Sequence, residues 1–130
     1  MSDNFNLEII APDEKIFSSN VKEVLIPSFE GQMTILKDHI PIITFLRPGF
    51  VEIKNQNESL KFFIEEGTVE FLNNKMLILT TSAKNLKDFD STKVSELIKI
   101  VEKAIEEKNL SDKQKYILSY KLSSLKEISQ

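Results

Sequence analysis

The chain has 130 residues, 41% of them apolar, enough to bury one ordinary core, so disorder is not expected. It has no cysteine, which excludes a disulfide framework and thiolate metal sites. Its net charge of −3 disfavours a generic nucleic-acid binder.

The charge is uneven. Residues 1–92 carry fourteen acids and nine bases, residues 93–108 balance, and residues 109–130 carry four lysines against Asp112 and Glu127. The tail and the body therefore face different surroundings, or each other. The N-terminus lacks a basic start followed by an apolar run, so no signal peptide is expected. No run of about 18 apolar residues occurs, so direct membrane insertion is not expected either.

The first two-thirds reads as strands. Phe5, Leu7 and Ile9 alternate with Asn6 and Glu8, the period of a half-buried strand. Ala11, Pro12 and Asp13 signal a turn, and Ile16 with Phe17 a short strand. Residues 21–27 form a β-rich run that should stop at Pro27, which cannot donate to a ladder. Residues 31–49 then read as an elaborate connection holding two of the three glycines, two of the four prolines and the single histidine. The turns at 29–32 and 36–39 are expected to be adjacent. Residues 50–54 and 60–64 form a strand pair around Asn55, Gln56 and Asn57. Residues 69–72 and 76–79 flank Asn73-Asn74, a pair that tolerates the positive φ of a tight hairpin. The pattern amounts to about nine strands in a sandwich or barrel.

The period changes after Ser82. Val94, Leu97, Ile98, Val101 and Ile105 fall at helical spacing, with Asp90 or Ser91 as N-cap and an end near Lys108 or Asn109. Ser111 and Gln114 form a capping-box pattern that opens a second helix. Leu118, Leu122, Leu125 and Ile128 line one edge of it, and Tyr116, Ile117 and Tyr120 widen the apolar arc, as though it met two surfaces. A link of about three residues makes the helices an antiparallel hairpin. The expected units are a β-sandwich over 1–86 and a helical hairpin over 87–130.

Catalytic chemistry is not visible. A lone His39 builds no cluster, Gly31, Gly49 and Gly67 are too dispersed to cradle phosphate, and Glu65-Glu66 reads as a solvated turn. The residues point to a binding protein and not an enzyme.

The order of segments resembles the epsilon subunit of F-type ATP synthases, called delta in mitochondria, over nearly the whole chain. Residues 5–11 and the Ile16-Phe17-Ser18 segment are similar to its first strands. Glu30-Gly31 with Asp38-His39-Ile40-Pro41-Ile42-Ile43-Thr44 is similar to its E-G…G-H-A-P-L-L-T signature. Leu46-Arg47-Pro48-Gly49 is similar to its L-K-P-G, and Glu66-Gly67-Thr68-Val69-Glu70-Phe71 with Leu77-Ile78-Leu79-Thr80 to its G-G-x-x-E-V…V-T-V-L-A block. Lys37-Asp38 replaces the usual P-G before the histidine.

The resemblance implies a flattened sandwich of about ten strands followed by a two-helix hairpin. It implies a non-catalytic central-stalk subunit that binds gamma and the c-ring, couples rotation driven by protons to ATP synthesis, and sits peripherally on the cytoplasmic face of a bacterial inner membrane. Glu30, Gly31, Gln32, Asp38 and His39 are the expected contacts with the c-ring or gamma. The hairpin of some members extends to the catalytic head and restrains hydrolysis, which makes Lys113, Lys115, Lys121 and Lys126 candidate regulatory residues. The nucleotide motif I/L-D-x-x-R-A of some members aligns with residues 89–94. Asp90 is kept, but Lys93 replaces the arginine, and an ammonium lacks the guanidinium's planar fork. Weak or absent ATP binding is expected, with no cofactor and no metal. A nucleotide-sensing module, or an adaptor that binds a coiled coil and is unconnected to ATP synthase, is the alternative.

Overall fold

The computed structural model describes residues 3–129. Ten strands come first: β1 (Phe5–Ala11), β2 (Glu14–Val21), β3 (Glu23–Ser28), β4 (Gly31–Leu36), β5 (Ile42–Leu46), β6 (Gly49–Lys54), β7 (Ser59–Ile64), β8 (Gly67–Leu72), β9 (Lys75–Thr80) and β10 (Ala83–Asn85). A 3-10 turn over Leu86–Asp88 leads to α1 (Ser91–Ile105) and α2 (Asp112–Ile128). The strand order is β10-β7-β6-β3-β5-β8-β9-β1-β2, with β4 paired to β3. A single residue pair, Ser28 with Leu46, joins β3 to β5. That weak seam divides the strands into two layers, β4-β3-β6-β7-β10 and β5-β8-β9-β1-β2.

Both layers contribute to one core. Val24, Ile26, Ile35, Val51, Ile53 and Ile64 of the first layer meet Leu7, Ile9, Val69, Phe71, Met76 and Ile78 of the second, all buried. The strict alternation of β1 buries Phe5, Leu7, Ile9 and Ala11 on one side. Asn73 and Asn74 adopt φ of 49° and 60°, the conformation that their hairpin was expected to need. Gly67 lets β8 approach β9, because a Cβ there would lie 2.3 Å from the Leu79 carbonyl oxygen.

Several boundaries depart from the pattern reading. Residues 31–49 are no mere connection: they hold the whole of β4 and β5. The outward positions of β5 are apolar (Ile43 and Phe45), so no polar alternation marks it. β2 runs through Ser18, Ser19 and Asn20, all three exposed, because this edge strand is held there by its pairing with β1 and not by burial of one face. The run 21–27 is split at Lys22, and Pro27 lies inside β3, where its carbonyl accepts from the Arg47 N–H at 3.0 Å. α1 ends at Ile105, so the link to α2 spans residues 106–111.

Asp90 is the N-cap of α1, accepting from the Thr92 N–H at 2.8 Å. Ser111 and Gln114 make both halves of the capping box of α2. A second cluster forms where Val101, Leu125 and flanking apolar residues of the helices close over Phe63. Phe62 and Phe63 are sequence neighbours on opposite faces of β7, so one enters the sandwich core and the other carries the hairpin.

Candidate functional site

The expected contact residues lie at two ends of β4. Glu30 and Gln32 flank its start, and Asp38 and His39 follow its end. Five steps at roughly 3.4 Å per residue put the two turns about 17 Å apart. They are neighbours in sequence and not in space. What joins them is β4 itself, whose outward Gln32, Thr34 and Leu36 are all exposed. Its unpaired side has no strand beside it among the described residues.

The first end is a tight turn. The Ser28 hydroxyl donates to the Gly31 carbonyl at 2.7 Å and accepts from the Glu30 N–H at 3.2 Å. Gly31 has φ of 125°, a value that favours glycine. At the other end Asp38 has φ of 66° and is clamped to the β8–β9 hairpin. Its N–H donates to Asn74 Oδ1 at 2.7 Å, and Asn74 Nδ2 donates back to Asp38 Oδ1 at 2.9 Å. His39 is half-buried, its ring edge-on to Phe71 at 5.9 Å and its Nδ1 donating to the Ile40 carbonyl at 2.7 Å.

The hairpin meets the sandwich at the first end, where the broad arc of α2 finds Phe29 and Arg47, two residues that local patterns do not mark as its partners. Tyr116 stacks on Phe29 at 5.5 Å, and its hydroxyl donates to the Phe29 carbonyl at 3.2 Å. Tyr120 packs edge-on to Tyr116 at 4.8 Å and lies under the Arg47 guanidinium, whose Cζ is 3.8 Å from the ring centre. The chain's single arginine thus meets one of its two tyrosines, which in turn packs on the other. The tyrosines are four residues apart, so a helix puts them on one face. Burial, then the hydrogen bond and charge of Tyr120, raise the Tyr116 hydroxyl above its ordinary value, and Arg47 opposes that shift.

The four candidate lysines of α2 divide. Lys121 pairs with Glu65 of the β7–β8 turn, and Lys126 with Glu102 of α1 at 3.8 Å. Lys113 and Lys115 are exposed. Asp90 is engaged as the N-cap, and Lys93 is exposed on the same turn of α1. Among the described residues no group of histidine and carboxylate side chains could hold a metal ion. No helix there is long and apolar enough to cross a membrane.

The other layer has a different outer surface. Pairing aligns Phe45 with Thr68, Thr68 with Leu79 and Leu79 with Ile10, an outward row across β5, β8, β9 and β1. The next row brings Ile43 beside Glu70 and Leu77. Ile43 is 79% exposed and Phe45 63% exposed, so nothing among the described residues covers them.

Comparison with known proteins accounts for the whole chain. The family described as ATP synthase, Delta/Epsilon chain, beta-sandwich domain matches residues 4–86. The ATP synthase epsilon chain of Pelagibacter ubique is 41% identical over 99% of this chain and 100% of its own. That of Parvibaculum lavamentivorans is 30% identical over 98% of this chain and 97% of its own. Among solved structures, a chain of the Euglena gracilis mitochondrial ATP synthase OSCP/F1/c-ring assembly superposes with a TM-score of 0.81 at 18% identity, covering 100% of this chain and 84% of that one. A chain of the Tetrahymena thermophila mitochondrial ATP synthase central stalk and c-ring gives 0.63 at 16% identity, covering 96% of each.

Proposed function

The chain belongs to the ATP synthase delta/epsilon family, and on that premise we propose that it works in the rotor as a non-catalytic stalk subunit, binding gamma on one side and the c-ring on another. The observation that carries the reading is the full-length similarity to chains named ATP synthase epsilon chain. The architecture suits the task. Two layers closed on one core resist shear, as a part that transmits torque must.

Gamma docks on the bare outer face of β5, β8, β9 and β1. An apolar row of this kind needs a partner in the assembly, and the hairpin occupies the opposite layer. The c-ring meets the outward side of β4. Glu30, Gln32 and Asp38 belong to that one exposed band, running from turn to turn, and not to a cluster of adjacent loops. The subunit is held peripherally by these contacts, at the cytoplasmic face of a bacterial inner membrane; the bacterial sources of the similar epsilon chains support that placement.

ATP binds weakly or not at all, since the Asp90 carboxylate already caps α1 and Lys93 lacks the fork of an arginine. Lys113 and Lys115 are the lysines available to an acidic surface of the catalytic head without breaking an ion pair. The test is co-purification of the full chain with gamma and the c-ring. Stable capture of both is expected. Substitutions along β4 (Gln32→Arg with Thr34→Arg) should release the c-ring and retain gamma. Loss of neither partner would reject the placement, and capture of neither by the unmodified chain would reject the stalk reading.

A further inference from the structure

The hairpin's seat on the sandwich is unlike the sandwich core. A cavity of about 340 Å³ lies between α2 and the sandwich, lined by Arg47, Gly49, Phe50, Tyr120 and Ser123 among others. Arg47 Nε is buried without a hydrogen-bond partner among the described residues. A groove of about 670 Å³ runs along Phe29, Phe45 and Tyr116. Interfaces with gaps and an orphaned donor open at lower free energy than close-packed cores. The contacts that do hold the end of the hairpin are few and specific. They are the stack and hydrogen bond of Tyr116 on Phe29, the Arg47–Tyr120 contact, and the Lys121–Glu65 pair.

Phe29 is also the second residue of turn 28–31, whose shape depends on the Ser28 hydroxyl. The Arg47 N–H is bonded to Pro27, one residue before that turn. Both anchors of the hairpin therefore hang on the same corner that presents Glu30 and Gln32. We propose that this corner is a latch: Phe29 and Arg47 grip Tyr116 and Tyr120, so the conformation of turn 28–31 and the docking of the hairpin are linked in one equilibrium. Linkage is reciprocal, so whatever engages the turn biases the hairpin, and release of the hairpin loosens the turn by the same factor. Where the c-ring contact proposed above holds, seating on the ring and freeing of the hairpin are coupled through this corner. The latch itself is a property of the chain alone and does not depend on that reading.

The absence of cysteine allows clean labelling of the full chain. Spin labels are placed through Asn57→Cys, at the β6–β7 turn, and Asn109→Cys, between the helices. The unmodified latch should give one dominant distance. Arg47→Gln and Tyr120→Leu should raise the population of a second, undocked distance about tenfold, the scale expected for losing a partly buried cation–π contact. Ser28→Ala touches no residue of the hairpin and should raise the same population, and amide exchange at Glu30 should quicken in Arg47→Gln and Tyr120→Leu. Leu79→Ser on the bare face should change neither reading. Circular dichroism melting confirms that each variant keeps its sandwich. A distribution unmoved by Arg47→Gln and Tyr120→Leu overturns the latch. A distribution moved by those two, with Ser28→Ala silent and Glu30 exchange unchanged, overturns the linkage.

Discussion

The two outer faces of the sandwich solve the same problem differently. On the β6–β7 face, Phe50 and Phe63 point outward and are covered by the chain's own helices. On the β5–β9 face, Ile43, Phe45 and Leu79 point outward and are bare. Composition does not separate these faces, since both carry large apolar side chains at outward strand positions. The difference lies in where the cover comes from. One face is closed by a segment of the same chain, through an interface with gaps. The other is left for a partner, and in the stalk reading that partner is gamma.

The comparison sharpens if the core beneath both faces is disturbed first. Phe71→Ala empties a site 1% exposed that also supports Phe5 and His39. It should cost about 3–5 kcal/mol in a denaturant melt and abolish both faces together. Leu125→Ala, at a site 0% exposed between the helices and Phe63, should cost about 2–5 kcal/mol of helix docking. The sandwich transition and the bare face should survive it. If the sandwich melted with the helices in that variant, the covered face would be part of the core and not an interface.

Asp38→Ala comes next. It removes the side-chain half of the clamp to Asn74, leaving the backbone N–H donation, at a residue held at φ of 66°, and about 1–3 kcal/mol of stability should be lost. Glu30→Ala, on an exposed turn at the other end of β4, should stay within about 0.5 kcal/mol. Equal costs would show that the two ends are built alike.

Tyr116→Phe should weaken docking by about 0.5–1.5 kcal/mol, the scale of one hydrogen bond. Burial and Tyr120 give the same hydroxyl a pH dependence. The folded Tyr116 hydroxyl titrates above the ordinary tyrosine value of 10.0, so its contribution is complete below that value. It is lost as the pH rises through the higher folded value. Docking should therefore be flat across neutral pH and fall in alkali, and the Tyr116→Phe variant should lack that part of the fall. Lys113 and Lys115 can be tested separately, by hydrolysis measurements on the assembled complex with and without residues after Asn109.

Local chemistry was legible in the sequence wherever the partner is close in the chain. The alternation of β1, the Asn73-Asn74 hairpin and the Ser111–Gln114 capping box each depend on residues within a few positions. β5 was not legible, because a strand apolar on both sides carries no period. The turns around Gly31 and Asp38 read as adjacent because the six residues of β4 between them passed for a loop. The Phe29–Tyr116 contact spans 87 positions, and no local pattern announces it. The signal on the helix side was the broad apolar arc that Tyr116 and Tyr120 widen, read as meeting two surfaces; nothing marked Phe29 or Arg47 as its partners.

The central claim is that the bare face belongs to gamma while the covered face belongs to the chain itself. The most direct measurement is a binding titration of isolated gamma with the full chain and with its Phe45→Asp variant, alongside thermal melts of both. Phe45 is well exposed, so its replacement should change stability by no more than about 0.5 kcal/mol. A charge at the β5 end of the apolar row should weaken gamma binding about 30-fold or more, the size of an interface anchor. Equal affinity in the two chains, with both melts intact, would contradict the account.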